Sequence, residues 1–221
     1  MKIGVFDSGK GGEAVARKLK QLIPDAEIIS VNDSLNIPYG GRSQQEIITL
    51  TSKAIAPLIE AHCDTIVIAC NTATVNAIQA LRKTYPRQLF VGLEPMIKPA
   101  TQHTKTGTIA ALATPATLQS DRYGALKKSW TKKCTVIEPD CSTWAAHIEN
   151  NTKEMIPLAE TIAPITEVGV DVIVLACTHY HWLEKDIKKL VGNSVTILEP
   201  TDAIKNRIFE ITGQQAAQQP Q

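Results

Sequence analysis

The segments DTIVIAC at residues 64–70 and DVIVLAC at residues 171–177 are two copies of one pattern and are identical at five of seven positions. Both are rich in β-branched residues, which is typical of a buried strand, and both precede a stretch with helical spacing. Since a strand followed by a helix is the unit of a parallel α/β sheet, this repeat predicts an α/β fold that is built twice.

The spacing that matches Asp64 with Asp171 extends beyond the repeated segment. It pairs Asp7 with Thr114 without a gap, and the tripeptide Leu-Glu-Pro occurs at residues 93–95 and again at 198–200. Short β-branched runs alternate with helical stretches along the chain, as expected of βαβ units. The predicted strands cover residues 3–6, 27–31, 65–69, 108–112, 135–137 and 172–176.

We therefore predict an α/β protein of two similar three-layer domains with mostly parallel sheets, related by a pseudo-twofold axis, with the active site between them. The first domain would comprise residues 1–96 together with the helical stretch 201–213, which we expect to pack back on it. The second domain would comprise residues 97–200. Residues 214–221, composed of Gln, Ala and Pro, are predicted to be a disordered tail.

Composition excludes several classes of protein. The chain has 221 residues, of which 43% are hydrophobic and 5% aromatic, so it can bury a sizeable core. The 23 Lys and Arg residues nearly balance 22 Asp and Glu residues, and no basic block is present that would bind nucleic acid as a main function. No apolar stretch is long enough for a signal peptide or a membrane span, so we expect a cytoplasmic protein without membrane attachment.

The five cysteines also limit the chemistry. They form no CxxC pair, and no His lies at ligand spacing from two of them, so neither a disulfide framework nor a metal site is predicted. A group of other residues that could react or bind shows no placement at a strand end, and we interpret its members as structural or surface residues. They are Cys63, Cys134, His62, His103 and Trp130.

The first strand is followed by Asp7-Ser8-Gly9-Lys10-Gly11-Gly12, whose glycines allow a tight turn into a helix. A phosphate-binding loop is one interpretation, but neither phosphate-loop spacing is present and Asp7 would repel the phosphate. A second interpretation places Asp7 against an ammonium group and Ser8 against a carboxylate of a zwitterionic ligand. A third is that Ser8 only caps the helix.

Cys70-Asn71-Thr72 and Cys177-Thr178-His179 follow the two copies of the repeated strand. A lone cysteine at such a place is most often a small buried hydrophobic residue. We favour a functional role, because a helix N-terminus lowers the pKa of a thiol and duplication places one thiol on each half. One thiol could take a proton from a carbon acid while the other returns one to the opposite face, which inverts a stereocentre without a cofactor.

Two further segments are candidates for ligand binding. The Pro and Gly residues around Tyr39 and Gly40 predict a turn that lies over a ligand, although an ordinary surface turn is the alternative. Thr114 and Thr117 follow the fourth predicted strand, where hydroxyl and amide groups can bind a carboxylate.

These motifs together resemble those of the glutamate racemases, a family of the aspartate/glutamate racemase superfamily. The resemblance runs from the first strand to about residue 183, with weaker agreement at residues 92–95 and 108–120. The motifs that carry it are Gly4-Val-Phe-Asp-Ser-Gly9 with Gly11-Gly12, Pro38-Tyr-Gly40 with Arg42-Ser43, Ala69-Cys-Asn-Thr-Ala73, and Cys177-Thr-His-Tyr180.

The resemblance implies a racemase that interconverts L- and D-glutamate without a cofactor and supplies D-glutamate for peptidoglycan. By motif position it implies that Cys70 and Cys177 are the two bases, assisted by Asp7 and His179 respectively. Glu149 falls where the family often has an acidic residue, although the preceding segment departs from the family pattern. The substrate would be held by Ser8, Tyr39, Gly40, Asn71, Thr72, Thr178, Thr114 and Thr117.

Some departures from the family pattern bear on substrate choice. Lys10 replaces a small or apolar residue, and His181-Trp182 replaces Pro-Leu close to the second cysteine motif, where it would alter the shape of the pocket. The alternatives that we keep are a racemase of aspartate or another amino acid, a one-thiol decarboxylase or isomerase, and a catalytically weak binding or regulatory protein. For assembly, we allow for a homodimer.

Overall fold

The computed structural model describes residues 1–213, and the tail predicted for residues 214–221 lies outside them. The strands of the first sheet are β1 (Lys2–Asp7), β2 (Glu27–Asn32), β3 (Thr65–Ile68) and β4 (Leu89–Gly92). Those of the second sheet are β5 (Thr108–Ala113), β6 (Thr135–Ile137), β7 (Val172–Ala176) and β8 (Thr196–Leu198). Both sheets are parallel, with strand orders β2-β1-β3-β4 and β6-β5-β7-β8. The prediction of a fold built twice is therefore confirmed.

Helices connect the strands and cover both sheets. Those associated with the first half are α1 (Gly11–Leu22), α2 (Gln44–Ala54), α3 (Ala56–Glu60) and α4 (Asn71–Thr84). The second half contains α5 (Ile97–His103), α6 (Pro115–Leu118), α7 (Asp121–Trp130), α8 (Trp144–Glu149), α9 (Leu158–Glu167) and α10 (Glu184–Val191). Two 3-10 segments, Lys153–Met155 and Thr178–Leu183, and a last helix, α11 (Thr201–Thr212), complete the described chain.

The central strands are buried on both faces because helices cover each sheet on both sides. Val5 and Val67 belong to the core on one face of the first sheet, whereas Phe6 and Ile68 belong to the core on the other face. This alternation follows from the period of two residues along a strand. The near-continuous apolar runs that predicted these strands are a consequence of this double burial.

Helix α11 follows β8 of the second sheet but packs against the first. Its Ile204 and Ile208 are buried in the same core cluster as Val67 and Val91 of the first sheet. The chain therefore crosses between the sheets twice, after β4 and after β8. Within residues 1–213, no helix combines the length and the apolar character needed to cross a membrane.

Strand pairing corrects the register expected for the repeat. In the first sheet Ile3 of β1 pairs with Thr65 of β3, and in the second sheet Ile109 of β5 pairs with Val172 of β7. By these pairs, the second half has one more residue than the first between its two central strands. When β3 is matched with β7, Ile3 therefore corresponds to Ile109, and the gapless match predicted for the first strands is wrong by one position.

Candidate active site

The carboxyl ends of the two sheets face a cavity of about 270 Å³ between the halves. The sequence-predicted residues that line this cavity come from both halves: Ser8, Tyr39, Gly40, Cys70, Asn71, Thr72, Thr114, Cys177 and His179. The other lining residues are Ile37, Pro38, Gly41, Pro115, Ser142, Ala145, Ala146 and Glu149. Three predicted site residues, Asp7, Thr117 and Thr178, are buried next to the cavity but do not line it.

Cys70 lies between β3 and the first turn of α4. Its Sγ accepts a hydrogen bond from the Ala73 amide at 3.4 Å and lies 3.2 Å from the Ser8 hydroxyl oxygen. Burial, followed by the negative charge of Asp7, raises the pKa of the Cys70 thiol to about 12. The prediction that the helix N-terminus lowers this pKa is wrong, because desolvation and the charge of Asp7 outweigh the hydrogen bonds from Ser8 and from the Ala73 amide. Cys70 is therefore a neutral thiol at pH 7.

Cys177 occupies the corresponding position after β7, but its surroundings differ. The residues that follow it form the 3-10 segment Thr178–Leu183, which leads into α10, so Cys177 does not cap an α-helix as Cys70 does. In place of a hydroxyl, the ring of His179 faces the thiol, with its Nδ1 3.6 Å from the Cys177 Sγ.

His179 is held in place by Glu149, the last residue of α8. The His179 Nε2 donates a hydrogen bond to the Glu149 Oε1 at 2.5 Å, and both side chains are buried. Burial opposes protonation of His179, but the hydrogen bonds to Cys177 and Glu149 outweigh it and raise the pKa to about 11. The same bond, with one from the Lys10 amide, holds the pKa of Glu149 below its usual value despite partial burial. His179 is therefore an imidazolium that faces the Cys177 sulfur.

Glu149 is the residue whose role the sequence indicates least clearly. Its spacing from Cys141 follows the family pattern, but the intervening residues 142–148 do not. Most of these residues belong to α8, which carries Glu149 at its end and Ala146 at the cavity, and Ser142 lines the cavity just before the helix. Amphipathic helical spacing in this segment, with Trp144 and Ile148 buried, is the signal that places Glu149 opposite His179.

Asp7 lies behind the cavity wall rather than in it. Its two carboxylate oxygens accept hydrogen bonds from the Gly9 amide and from the Thr178 hydroxyl, each at 2.8 Å. Burial raises the pKa of this carboxyl above its usual value, although the positive charge of His179 opposes the shift. Asp7 thus connects the loop after β1 to the loop after β7, and the expected direct contact of Asp7 with a ligand ammonium group has no support in its position.

The structure of the loop after β1 bears on two other interpretations of its sequence, the helix cap by Ser8 and the phosphate-binding loop. Helix α1 begins at Gly11, and its N-cap position is Lys10 without a side-chain hydrogen bond, so the alternative that Ser8 caps this helix is wrong. The amides of Gly9 and Lys10 donate to carboxylates, those of Asp7 and Glu149. Since these amides are engaged with anions of the protein, the phosphate-loop interpretation has no support either.

The glycines of this loop allow the two halves to approach closely. A Cβ atom at Gly9 would collide with the Glu149 Oε1, and one at Gly11 would lie 2.5 Å from the Thr178 hydroxyl oxygen. Both contacts are far shorter than van der Waals distance. The glycines therefore bring the loop of the first half against the Cys177 segment of the second.

A cluster of threonine hydroxyls forms another part of the wall. The Thr72 hydroxyl oxygen lies 2.8 Å from that of Thr114 and 3.3 Å from that of Thr117, which lies behind the cavity. The buried side-chain amide of neighbouring Asn71 has no hydrogen-bond partner for its Nδ2 within residues 1–213. Unpaired donors and rotatable hydroxyls at one place suit an anionic group such as a carboxylate. By the observed register, Ser8 rather than Asp7 is the counterpart of Thr114.

The turn around Tyr39 extends across to the second half. The buried Tyr39 donates its hydroxyl proton to Asp33 at 2.7 Å, and the carbonyl of Gly40 accepts from the Ala116 amide at 3.1 Å. The turn ends where Ser43 caps α2 in a capping box with Glu46. These bonds fix a loop that belongs to the cavity wall and is not an ordinary surface turn.

Residues outside the site agree with one expectation and correct another. None of Cys63, Cys134, His62, His103 and Trp130 lines the cavity, in agreement with their interpretation as structural or surface residues. His181 and Trp182, expected to reshape the pocket, do not line it either. They face a separate groove beside α1, because the 3-10 segment turns them away from the cleft.

Within residues 1–213, no group of three or more His, Cys, Asp or Glu side chains is arranged to hold a metal ion.

Comparison with known proteins identifies relatives of similar sequence and fold. A family model described as Asp/Glu/hydantoin racemase matches residues 3–207. A glutamate racemase of Aliarcobacter butzleri is 37% identical over 219 residues, which cover 96% of this chain and 84% of that protein. The crystal structure of a glutamate racemase isoform from Bacillus anthracis is 30% identical with a TM-score of 0.81, covering 96% of this chain and 81% of that one. The glutamate racemase of Escherichia coli, solved with L-glutamate and an activator, is 26% identical with a TM-score of 0.85, covering 98% and 84%.

Proposed function

The chain belongs to the Asp/Glu/hydantoin racemase family and is an amino-acid racemase, and we propose that it interconverts L- and D-glutamate without a cofactor. The observation that carries this proposal is the pair of thiols, Cys70 and Cys177, contributed by the two halves to one cavity. Each thiol has a polar partner of its own, Ser8 for Cys70 and His179 for Cys177.

The proton transfer that we propose uses the different surroundings of the two thiols. Cys177, whose sulfur faces the imidazolium of His179, acts as the base and removes the α-proton of the substrate: the C–H bond breaks and an S–H bond forms. The electron pair remains on the α-carbon and its carboxylate. The neutral thiol of Cys70 then gives its proton to the other face of that carbon, so one stereocentre is inverted and no atom is gained or lost. The turnover leaves the extra proton on Cys177 and Cys70 without one, and proton exchange with solvent restores the starting state. The reverse direction exchanges the two roles.

The remaining predicted site residues would bind the substrate. We assign one carboxylate to the donors around Asn71, Thr72 and Thr114, with Thr117 behind them. The other polar groups of the amino acid would be bound by Ser8, Tyr39 and Gly40, which also line the cavity. The hydrogen bond between Thr178 and Asp7 joins the loop after β1 to the loop after β7. Through this bond the two residues position the loops that bind the substrate. A substrate with two carboxylates, such as glutamate, agrees with this division.

The biological setting follows from the reaction. We propose that the protein works in the cytoplasm, where it supplies D-glutamate for peptidoglycan and thereby supports cell-wall formation and cell shape. We also propose that the protein forms a homodimer. Size-exclusion chromatography with light scattering tests this assembly.

The decisive experiment is incubation of the purified protein with each enantiomer of glutamate and of aspartate, followed by chiral chromatography. The buffer contains a metal chelator and no pyridoxal phosphate. We expect both glutamate enantiomers to approach an equal mixture and the aspartate pair to react much more slowly. Preference for aspartate would favour the alternative substrate, dependence on an added cofactor would exclude the proposed chemistry, and binding without turnover would favour the regulatory alternative.

A further inference from the structure

Lys10 connects the first half of the molecule to the residue that supports His179. Its backbone amide donates to the Glu149 Oε1 at 2.8 Å, and its Nζ donates to the Glu149 backbone carbonyl at 3.1 Å. The same Oε1 accepts from His179. One residue from the loop after β1 therefore holds both the carboxylate and the main chain of a residue that belongs to the other half.

The two bonds of Lys10 differ in what they require. Any residue except proline supplies the backbone amide, so that bond does not explain a lysine at this position. The Nζ bond needs a long cationic side chain, and it reaches a carbonyl at the C-terminal end of α8, where a positive charge is favourable. The lysine thus fixes the end of the helix that carries Glu149.

We propose that Lys10 is a positioning residue for the Cys177 side of the site: its ammonium group locks the end of α8 so that Glu149 stays aligned on His179. The proposal rests on the racemase function, since it concerns the partner of one of the two thiols. It also accounts for a departure from the family pattern, because a small or apolar residue at position 10 would lack the Nζ contact.

The electrostatic surroundings of Glu149 give this proposal a measurable signature. The charged groups that face Glu149 are Lys10 from the loop after β1, His179 from the 3-10 segment and Asp7 from the end of β1. The charge of Lys10 contributes to the lowered pKa of Glu149. Removal of that charge raises the pKa of Glu149. The carboxylate is then protonated at a higher pH than in the wild type.

The test compares Lys10→Met, which removes the ammonium group, with Lys10→Arg, which keeps a cation, and with Lys18→Met as a matched control. Lys18 lies on α1 and pairs with Glu199, away from the cavity lining. Two quantities are measured: the pH dependence of kcat/KM for glutamate, and the titration of the Glu149 carboxyl carbon by NMR in the unliganded protein. Glu149→Gln assigns the NMR signal.

For Lys10→Met we expect kcat/KM to fall about three- to tenfold, as for loss of one partly solvated charged hydrogen bond. In this variant, the acid limb of the pH profile of kcat/KM and the titration of Glu149 should both move to higher pH. Lys10→Arg and Lys18→Met should match the wild type in both measurements. An unchanged titration in Lys10→Met, or an equal shift in Lys10→Arg, would overturn the positioning role. If the wild type does not turn over glutamate but the titration moves as expected, the proposed function fails and the contact between Lys10 and Glu149 stands.

Discussion

The two strand–cysteine segments of the molecule are nearly identical in sequence but differ in what surrounds the thiol. After β3, Cys70 caps an α-helix and has the Ser8 hydroxyl as its neighbour. After β7, Cys177 leads into a 3-10 segment and faces a histidine that is itself bonded to Glu149. The first thiol is therefore surrounded by neutral donors and a buried carboxylate, and the second by a cation.

This difference gives the two equivalent cysteines of a duplicated fold different electrostatic surroundings. A pKa of about 12 keeps Cys70 protonated, and a pKa of about 11 keeps His179 charged beside Cys177. A reaction that needs one proton donor and one acceptor at the same time requires such a difference.

The largest effect is expected when either thiol is removed. Cys70→Ala and Cys177→Ala should each lower racemisation by about 10³-fold or more, because positioned acid–base groups contribute about 10²–10⁴-fold. Each variant keeps one thiol and should still exchange the α-proton of one glutamate enantiomer with solvent. Under the proposed mechanism the thiols act on opposite faces of the substrate, so the two variants should exchange opposite enantiomers, as measured by NMR in heavy water.

Cys63→Ala is the matched control, because Cys63 is buried in the first half but does not line the cavity. It should keep wild-type activity and exchange. If both active-site variants exchanged the same enantiomer, or if either one racemised glutamate at a rate near that of the wild type, the two thiols would not act as a pair.

An intermediate effect is expected in the chemical reactivity of the two thiols. Both are about equally buried, with 6% of each residue exposed, so access alone does not distinguish them. Because the thiolate is the reacting form and burial raises the pKa of Cys70 to about 12, iodoacetamide at a pH of about 7.5 should modify Cys70 more slowly than Cys177, by about tenfold or more. Mass spectrometry of the two peptides over time measures both rates, and bound glutamate should slow both.

His179→Ala tests whether the imidazolium causes this difference. The variant should lose the preference for Cys177, whereas Ser8→Ala should leave it in place. Equal rates in the wild type would contradict the electrostatic difference between the surroundings of the two thiols.

The repeat predicted the fold well, because buried parallel strands impose a pattern that can be read locally. The sequence predicts the part of the site that directly follows a strand. Cys70, Asn71 and Thr72 line the cavity, as this pattern indicates. The partners of the thiols depend on contacts between residues far apart in sequence, such as His179 with Glu149. No local pattern specifies such contacts.

The errors have physical causes as well. The pKa of Cys70 was expected to be lowered by the helix terminus, but burial depends on the packing of the whole half and, with the charge of Asp7, outweighs the hydrogen bonds to the thiol. The Asp7 carboxylate was expected to contact a ligand, yet it turns toward Thr178 because two halves of the chain meet there. Whether Asp7 assists Cys70 stays a prediction.

The smallest effect concerns stability, and it tests the ion pair that distinguishes the Cys177 side. The folded-state pKa of His179 is raised from 6.5 to about 11, so its contribution to stability is fully present below pH 6.5 and is lost as the pH rises through about 11. The lowered pKa of Glu149 means that its contribution is present above its usual value of 4.5 and is lost as the pH falls. The pair therefore contributes most between about pH 4.5 and 6.5.

Glu149→Gln removes one charge of this pair with little change in shape, and we expect it to lower the free energy of unfolding by about 1–3 kcal/mol at a pH of about 6, as for a hydrogen bond to a charged group. At a pH of about 9.5 the difference from the wild type should be smaller, because His179 is then neutral in the unfolded chain and the cost of protonating it on folding offsets part of the gain. Urea unfolding at both pH values measures the difference. Glu154→Gln, at an exposed glutamate of the neighbouring 3-10 segment, should change neither value by more than about 0.5 kcal/mol. A deficit for Glu149→Gln that is the same at both pH values would mean that its contact with His179 acts as a neutral hydrogen bond, and the electrostatic contrast between the two thiols would then rest on Cys70 alone.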